Sequence, residues 1–434
     1  MFFPKPKKVN YNHYKENIKN PKSKLGLDKE IKFCKKCVIS NQRPSSAIEF
    51  KQNSGTKKKT TKIKNSICDP CNYHDYKKKI DWKDREKQLI ELCNKYRSKD
   101  GSYDCLVPGS GGKDSFYTSH ILKNKYKMNP LTVTFSPSIY TTWGFNNFKA
   151  WIDAGHDNYL VTPNTKIHRL LTRISLENIL HPFQPFILGQ KLLPPKIASV
   201  FNIKLVFYGE NEAEYGNSIK ENKHSRRENK YFSNNKKDKI YIAGLSLDSL
   251  VNDLKISRND LNLYLPGNKD FLESKKIDVR YLGYYLNWHP QKCYYYAAEN
   301  SNFKSAPERT AGTYSKYNSI DDKIDDIHFY TYGIKFGVAR ATYDACQEIR
   351  NGDINRDEGK MLVKKYDHEF PKRFMKEILE YLSINKNDFP FHHKFFEQPI
   401  INEKYFKNLC DSFRPPHLWY FKKGKWKLRK AVWM

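Results

Sequence analysis

The chain of 434 residues is 38% hydrophobic and 15% aromatic, which excludes a largely disordered protein and leaves room for two or three domains. No run approaches the roughly 20 apolar residues of a membrane span, and the opening MFFPKPKKVN lacks a secretory apolar region, so a cytoplasmic protein is expected. Lys and Arg exceed Asp and Glu by 31, and two readings of that excess are open: polyanion partners such as nucleic acid, phospholipid or nucleotides, or a solvated lysine-rich surface produced by drift toward A and T in the coding sequence.

Residues 1–30 are rich in Lys and Asn without periodicity and are expected to form an irregular basic extension. A module over residues 31–78 follows, marked by Cys34-Lys-Lys-Cys37 and Cys68-Asp-Pro-Cys71. Two such knuckles place four thiolates tetrahedrally around one metal ion, whereas a redox CxxC would occur once beside a βαβ unit. Cys34, Cys37, Cys68 and Cys71 are therefore read as ligands of a structural Zn2+. The remaining cysteines, Cys93, Cys105, Cys293, Cys346 and Cys410, stand singly and are expected as small buried apolar residues rather than disulfide partners.

Over residues 79–102, Ile80, Leu89, Ile90, Leu92, Cys93 and Tyr96 recur at helical spacing and predict an amphipathic linker helix. Residues 103–267 then alternate. Strands are predicted at 103–107, 131–136, 158–162 and 204–208, with helices from near Asp114, over 145–154 and over 166–180. That alternation predicts an α/β fold with a doubly wound parallel sheet, whose ligands lie off the carboxyl ends of the strands. Residues 220–239 read as a polar, basic insertion, and the lysines at 57–59, 62 and 64 and at 236, 237 and 239 as exposed loops. A short helix and a Pro266-Gly267 turn are expected over 245–267. Residues 268–434, aromatic-rich and clearly periodic over 366–384, are expected as a smaller, mainly helical domain packed on the core.

Ser110-Gly111-Gly112-Lys113-Asp114-Ser115, between a buried strand and a helix, is the sharpest signal in the chain. It is not a Walker A loop, because Val107 and Asp114 stand where that motif needs Gly and Ser or Thr. Two glycines let backbone N–H groups close on a pyrophosphate, and the helix that follows adds its positive end. Asp114 can hold the Mg2+ that bridges phosphates, and Ser110 and Ser115 can donate hydroxyls to phosphate oxygens.

These residues resemble the PP-loop ATP pyrophosphatase superfamily, whose signature is SGGxDS. The resemblance implies adenylation of a substrate oxygen by ATP, release of pyrophosphate, and displacement of AMP by a nitrogen or sulfur nucleophile. Sulfur transfer would need cysteines near the loop, and downstream of Ser115 the chain has three widely separated ones, so nitrogen transfer fits better. No cysteine lies in a G-x-C-x-G elbow and residue 2 is Phe, so ammonia is expected from solution or a partner.

From about residue 31 onward, the ordered segments CKKCVIS, CDPC, VPGSGGKDS, GENEAEYG, GLSLDSL, VRYLGYYLNWHPQ, ERTAGTYSKYNSIDDKID and VARATYDACQEIRNGDI resemble the N-acetyl sugar amidotransferase family. That resemblance implies conversion of a sugar acetamido group to an acetamidino group with ATP. The setting is bacterial surface-glycan synthesis, in lipopolysaccharide O-antigen or in flagellin glycans of the pseudaminic and legionaminic acid type. It also implies a glutaminase partner and a cyclase-like ammonia conduit similar to those of histidine biosynthesis, and an N-acetylated nucleotide sugar or nonulosonic acid as substrate. A tRNA-modifying enzyme of the same superfamily is the alternative, with nucleic acid otherwise not expected as a partner.

Lys113, Asp114 and Glu210 are the candidate catalytic residues. Lys113 and the loop amides would stabilise the departing pyrophosphate, and Glu210, emerging with Asn211 at the same sheet edge as the loop, would ligate Mg2+ or bond the substrate; a surface acidic turn is the other reading of Glu210. Arg309, Tyr314, Lys316, Tyr317, Asp321 and Asp322 are candidates for a sugar's anionic group and hydroxyls, or members of a salt-bridged helix start. His289 is a base, a group that orients the acetamido group, or a packed, hydrogen-bonded histidine. Arg340 and Asp344 share a helix face and pair.

Overall fold

The computed structural model describes residues 6–434 apart from 216, 218–223 and 236, so part of the expected 220–239 insertion lies outside the described residues. The N-terminal module holds a two-stranded antiparallel hairpin, β1 (Ile63–Lys64) and β2 (Ile67–Cys68), and runs directly into helix α1 (Asp69–Lys77). The turn between the strands places Asn65 and Ser66 at φ of 49° and 63°, a conformation that Asn in particular tolerates. The linker helix forms as α2 (Trp82–Tyr96), started by the Asp81 side chain, which accepts from the Lys83 and Asp84 amides, with Leu89 and Cys93 on its buried face.

The core is a five-stranded sheet of β3 (Cys105–Pro108), β4 (Pro130–Phe135), β5 (Asn158–Val161), β6 (Leu205–Tyr208) and β7 (Asp278–Tyr281), every pair parallel, in the order β7-β6-β3-β4-β5. Successive residues of the inner strands serve opposite faces. Leu106 and Val206 join the larger core cluster, while Cys105, Val107, Leu205 and Phe207 join a second cluster with Leu89, Trp288 and Cys293. Burial on both faces is why these strands read as continuous apolar runs. Helices α3 (Lys113–Asn124), α4 (Thr142–Asp153), α5 (Thr165–Ile179) and α6 (Gln184–Val200) connect them.

Two elements extend beyond the sequence reading. The helix α6 contains Pro194 and Pro195, which lack the N–H groups that would bond the Gln190 and Lys191 carbonyls. The Tyr208 hydroxyl approaches both carbonyls, at 3.4 and 3.5 Å. The edge strand β7 comes from beyond residue 267, so the sheet recruits its last strand from the segment expected to begin the helical part.

Besides a short helix over Lys269–Ser274 that precedes β7, that C-terminal part holds α7 (Pro290–Asn300), α8 (Ile324–Phe336), α9 (Arg340–Asn351), α10 (Arg356–Tyr366), α11 (Met375–Leu382) and α12 (Glu403–Phe413), followed by an antiparallel hairpin of β8 (Trp419–Lys422) and β9 (Lys425–Leu428). Among its described residues, the N-terminal extension is irregular apart from one turn, Tyr11–Tyr14. It is not loose: Tyr14, Leu27 and Ile31 are buried with Phe336, Leu418, Trp419 and Leu428. Among the described residues, no helix is long and apolar enough to cross a membrane.

Candidate active site

Cys34, Cys37, Cys68 and Cys71 are all buried, and their sulfurs lie within 4.8 Å of one another. A buried set of four thiols at this separation fits a tetrahedral thiolate zinc centre. Arg356 of α10 reaches into the first knuckle, donating from Nε to the Cys37 carbonyl at 3.1 Å and from Nη2 to the Cys34 carbonyl at 3.0 Å. From the helix that begins at the second knuckle, the buried Lys77 ammonium donates to Glu214 Oε1 at 2.6 Å and to the Trp288 carbonyl at 2.8 Å. The module thus braces the segment after β6 against the start of α7. The five other cysteines are buried and unpaired.

The loop over residues 109–112 leaves β3 at the switch point of the sheet, where β3 lies between β4 and β6. Glycine is required there for steric reasons. A Cβ on Gly109 would stand 2.1 Å from Ser115 Cβ, and one on Gly111, whose φ is +85°, would stand 2.6 Å from Phe148 Cα. Gly112 is the N-cap of α3 and offers no side chain to the helix's first amides, which leaves them available to an anion.

The Lys113 side chain is buried and donates from Nζ to Asp114 Oδ2 at 2.6 Å. Burial works against its charge, yet Asp114, with a smaller contribution from Glu210, holds its pKa above the usual lysine range. Asp114 Oδ1 is buried with no hydrogen-bond partner, an arrangement that fits a cation such as Mg2+. Ser115 Oγ donates to the Gly112 carbonyl at 2.9 Å and so closes the loop on itself.

A cavity of about 400 Å³ opens against this loop. Its walls are the loop, Val133 and Phe135 of β4, Gln190 to Pro194 along α6, Tyr208 to Glu210 after β6, and a charged end formed by Lys191, Glu212 and Arg227. Arg227 lies 4.5 Å over the Tyr208 ring and 3.3 Å from Glu212, with its Nε buried and unpartnered. Burial pushes the Glu212 carboxyl up, but Arg227 and Lys191 more than offset it and hold it below the usual carboxylate range.

On the other side of the same loop lies a second chamber of about 230 Å³. It shares Ser110, Gly112, Asp114 and Gln190 with the first. Tyr317, Asn318, Ser319, Asp321, Asp325 and Arg340 form its far wall, with Phe183, Phe186 and Phe303 as the apolar part. The 318–322 segment is stitched to the β4–α4 loop. Asp322 accepts from the amides of Ser138 at 2.5 Å, Ile139 at 3.3 Å and Ile324 at 2.9 Å, and Gly144 lies so close that a Cβ there would be 2.3 Å from Asp321 Cα.

Of the residues singled out from sequence, the structure gathers Ser110, Gly111, Gly112, Lys113, Asp114, Tyr317 and Asp321 around the second chamber, and Ser115 and Glu210 at the first. Asn211 is fully buried, its Oδ1 accepting from the Ala213 amide at 2.9 Å, and so fixes the turn. Asp322 is buried behind the chamber. Arg309 forms a two-pronged pair with Glu369, both contacts at 2.6 Å, and lines a separate open cavity with Tyr314 and Lys316. His289 caps α7, accepting from the Lys292 amide at 3.4 Å, and stands 3.6 Å from Asp353, away from both chambers.

Sequence reading passed over Gln190, Asn318, Ser319, Asp325, Arg340 and Arg227. The one available signal was adjacency, since Asn318, Ser319 and Asp325 fall inside the polar stretch already singled out; Arg340 does pair with Asp344, at 3.2 Å, as their spacing implied.

Residues 311–432 match the family model described as LPS biosynthesis protein WbpG-like, C-terminal domain. A stretch of 48 residues, 11% of this chain, is 40% identical to the "Uncharacterized protein MJ1599" of Methanocaldococcus jannaschii. The matched stretch spans 17% of that relative's length. The segment similar to the lipopolysaccharide-biosynthesis domain is the one that supplies Tyr317, Asn318, Ser319, Asp321, Asp325 and Arg340 to the second chamber.

Proposed function

We propose that this chain is an ATP-dependent amidotransferase of the PP-loop ATP pyrophosphatase type that converts the acetamido group of an N-acetylated sugar into an acetamidino group during surface-glycan synthesis. The observation that carries the reading is the shared loop: one cavity at the sheet's switch point and one polar chamber meet at Ser110, Gly112 and Asp114. Such a junction suits a nucleotide on one side and its acceptor on the other. The lipopolysaccharide-biosynthesis match over the chamber's far wall supports a glycan precursor as that acceptor, of the O-antigen or flagellin-glycan kind.

In this reading the loop amides and the Lys113 ammonium receive the pyrophosphate, where positive charge is fixed before the bond breaks. Asp114, with its unpartnered oxygen, would hold Mg2+, which when bound neutralises phosphate charge, and Glu210 faces the same cavity. The N-acetyl oxygen attacks the α-phosphorus, pyrophosphate leaves, and ammonia then displaces AMP. Adenylation is needed because an amide oxygen is a poor leaving group until it becomes a phosphoester. The burial of all nine cysteines supports an external ammonia source, a glutaminase with a cyclase-like conduit being the partner proposed.

The test is turnover of ATP with ammonium chloride and a panel of N-acetylated nucleotide sugars and nonulosonic acids, read by mass spectrometry. The expected result is a product with oxygen exchanged for imino nitrogen, formed with one AMP per molecule. AMP formation with tRNA and with no sugar would overturn the sugar reading in favour of RNA modification.

A further inference from the structure

We infer that Asp325 is the proton acceptor for the nitrogen that attacks the adenylated acetamido group; the inference rests on the amidotransferase reading above. Asp325 sits in the first turn of α8, and its side chain is part of the wall that faces the 110–114 loop across the second chamber. It is 7% exposed. Of the other carboxylates nearby, Asp322 is committed to three backbone amides and Asp114 Oδ2 to Lys113, while Asp321, on the same wall, is less deeply buried than Asp325.

The chemistry requires such a group. When ammonia adds to the adenylated imidate carbon, a C–N bond forms and the tetrahedral carbon carries an –NH3+ substituent. That nitrogen cannot supply the electron pair that expels AMP until it loses a proton. Transfer of one proton to the Asp325 carboxylate frees the pair, the C–O bond to AMP breaks, and the product leaves as the amidinium. The acceptor then returns its proton to solvent. Ammonia is the only co-reactant besides ATP and the sugar.

The charged groups around Asp325 set its strength as a base. Burial pushes its carboxyl up to about 7; Arg340 on α9 opposes that, Ser319 hydrogen-bonds it, and Asp321 and Asp322 on the preceding loop add to the rise. Lys113 and Asp114 face it across the chamber. A base that titrates near the working pH combines availability with driving force.

Asp325→Asn in the full chain tests this, with the acetamido sugar that the turnover panel identifies. In a single turnover, pyrophosphate release is expected to stay within about threefold of wild type while ammonia-dependent acetamidine formation falls about 100-fold or more. Hydroxylamine, a stronger nucleophile that needs less help in losing its proton, is expected to recover most of the loss. Asp325→Glu, which keeps the carboxylate, is expected to retain the ammonia step with its acid limb shifted, and it covers the case in which the Asn variant does not fold. Acetamidine formation by Asp325→Asn at the wild-type rate would overturn the inference, as would a parallel loss of pyrophosphate release. A wild-type protein that releases no pyrophosphate with any acetamido sugar would instead overturn the amidotransferase reading itself, and the inference with it.

Discussion

Asp114 divides its two oxygens between different tasks: Oδ2 holds the Lys113 ammonium at 2.6 Å, and Oδ1 is buried without a partner. Asp114→Asn keeps the shape and removes the charge. Sugar-dependent pyrophosphate release is expected to fall at least about 100-fold, and the thermal midpoint to fall as well, because the buried Lys113 ammonium loses its counter-charge; a kinetic assay on protein held well below its melting midpoint, beside a melting curve, checks both. A second residue carries a pH dependence. His168 is buried between Ser138 Oγ at 3.1 Å and the Tyr264 hydroxyl at 2.9 Å, and burial pulls its pKa down to about 4. Between pH 6.5 and 4 the unfolded chain binds this proton and the folded chain does not, so the group makes no difference above that window and stability is lost as pH falls through it. The loss amounts to roughly 3 kcal/mol. His168→Gln is expected to flatten that part of the stability profile, measured by urea unfolding at stepped pH; an unchanged slope would contradict it. The Gly-Lys-Asp loop was legible in the sequence because its information is local, in residues that touch each other. Asp325 and Arg340 were not, because which of many acids and bases reaches one chamber depends on how α8 and α9 pack.

At the scale of elements, the strands were legible wherever burial on both faces made an apolar run, as in Cys105–Pro108 and Leu205–Tyr208. The edge strand Asp278–Tyr281 has a charged residue at alternate positions and no such run. Helix α6 hid behind Pro194 and Pro195, which ordinarily end a helix; here packing of Leu192, Leu193 and Ala198 into the core holds the turn without their hydrogen bonds. The cysteine module's spacing was plain, but its brace was not. Lys77 and Glu214 form a pair buried on both sides, with side chains 4% and 12% exposed. Lys77→Met leaves the Glu214 carboxylate without its cation, at a cost of about 3 kcal/mol. Because Glu214 closes the segment that starts at Glu210, activity is expected to fall with stability. A Lys77→Met protein with wild-type unfolding free energy would show that the brace is ornamental.

Across the whole molecule, both ends of the chain serve the same site. The N-terminal module fixes the segment after β6 that walls the first cavity, and the 311–432 segment similar to lipopolysaccharide-biosynthesis domains walls the second. Composition and periodicity predicted an irregular extension, cysteine module, linker helix, α/β core and helical remainder in that order, and the edge strand Asp278–Tyr281 carries the core sheet past residue 267 into the last of these. The closure of the extension on the terminal hairpin was not, since Tyr14 and Trp419 meet only in three dimensions. The excess of 31 positive charges, by contrast, left two readings open and assigns nothing by itself.

The central claim is that the acetamido oxygen is activated by adenylation and leaves with AMP. A sugar labelled with oxygen-18 in its acetyl carbonyl, incubated with ATP, ammonia and the protein, tests it most directly. The account predicts label in the phosphate of AMP, one atom for each acetamidine formed. Label in water or inorganic phosphate, or retained in the sugar while ATP is consumed, would contradict it.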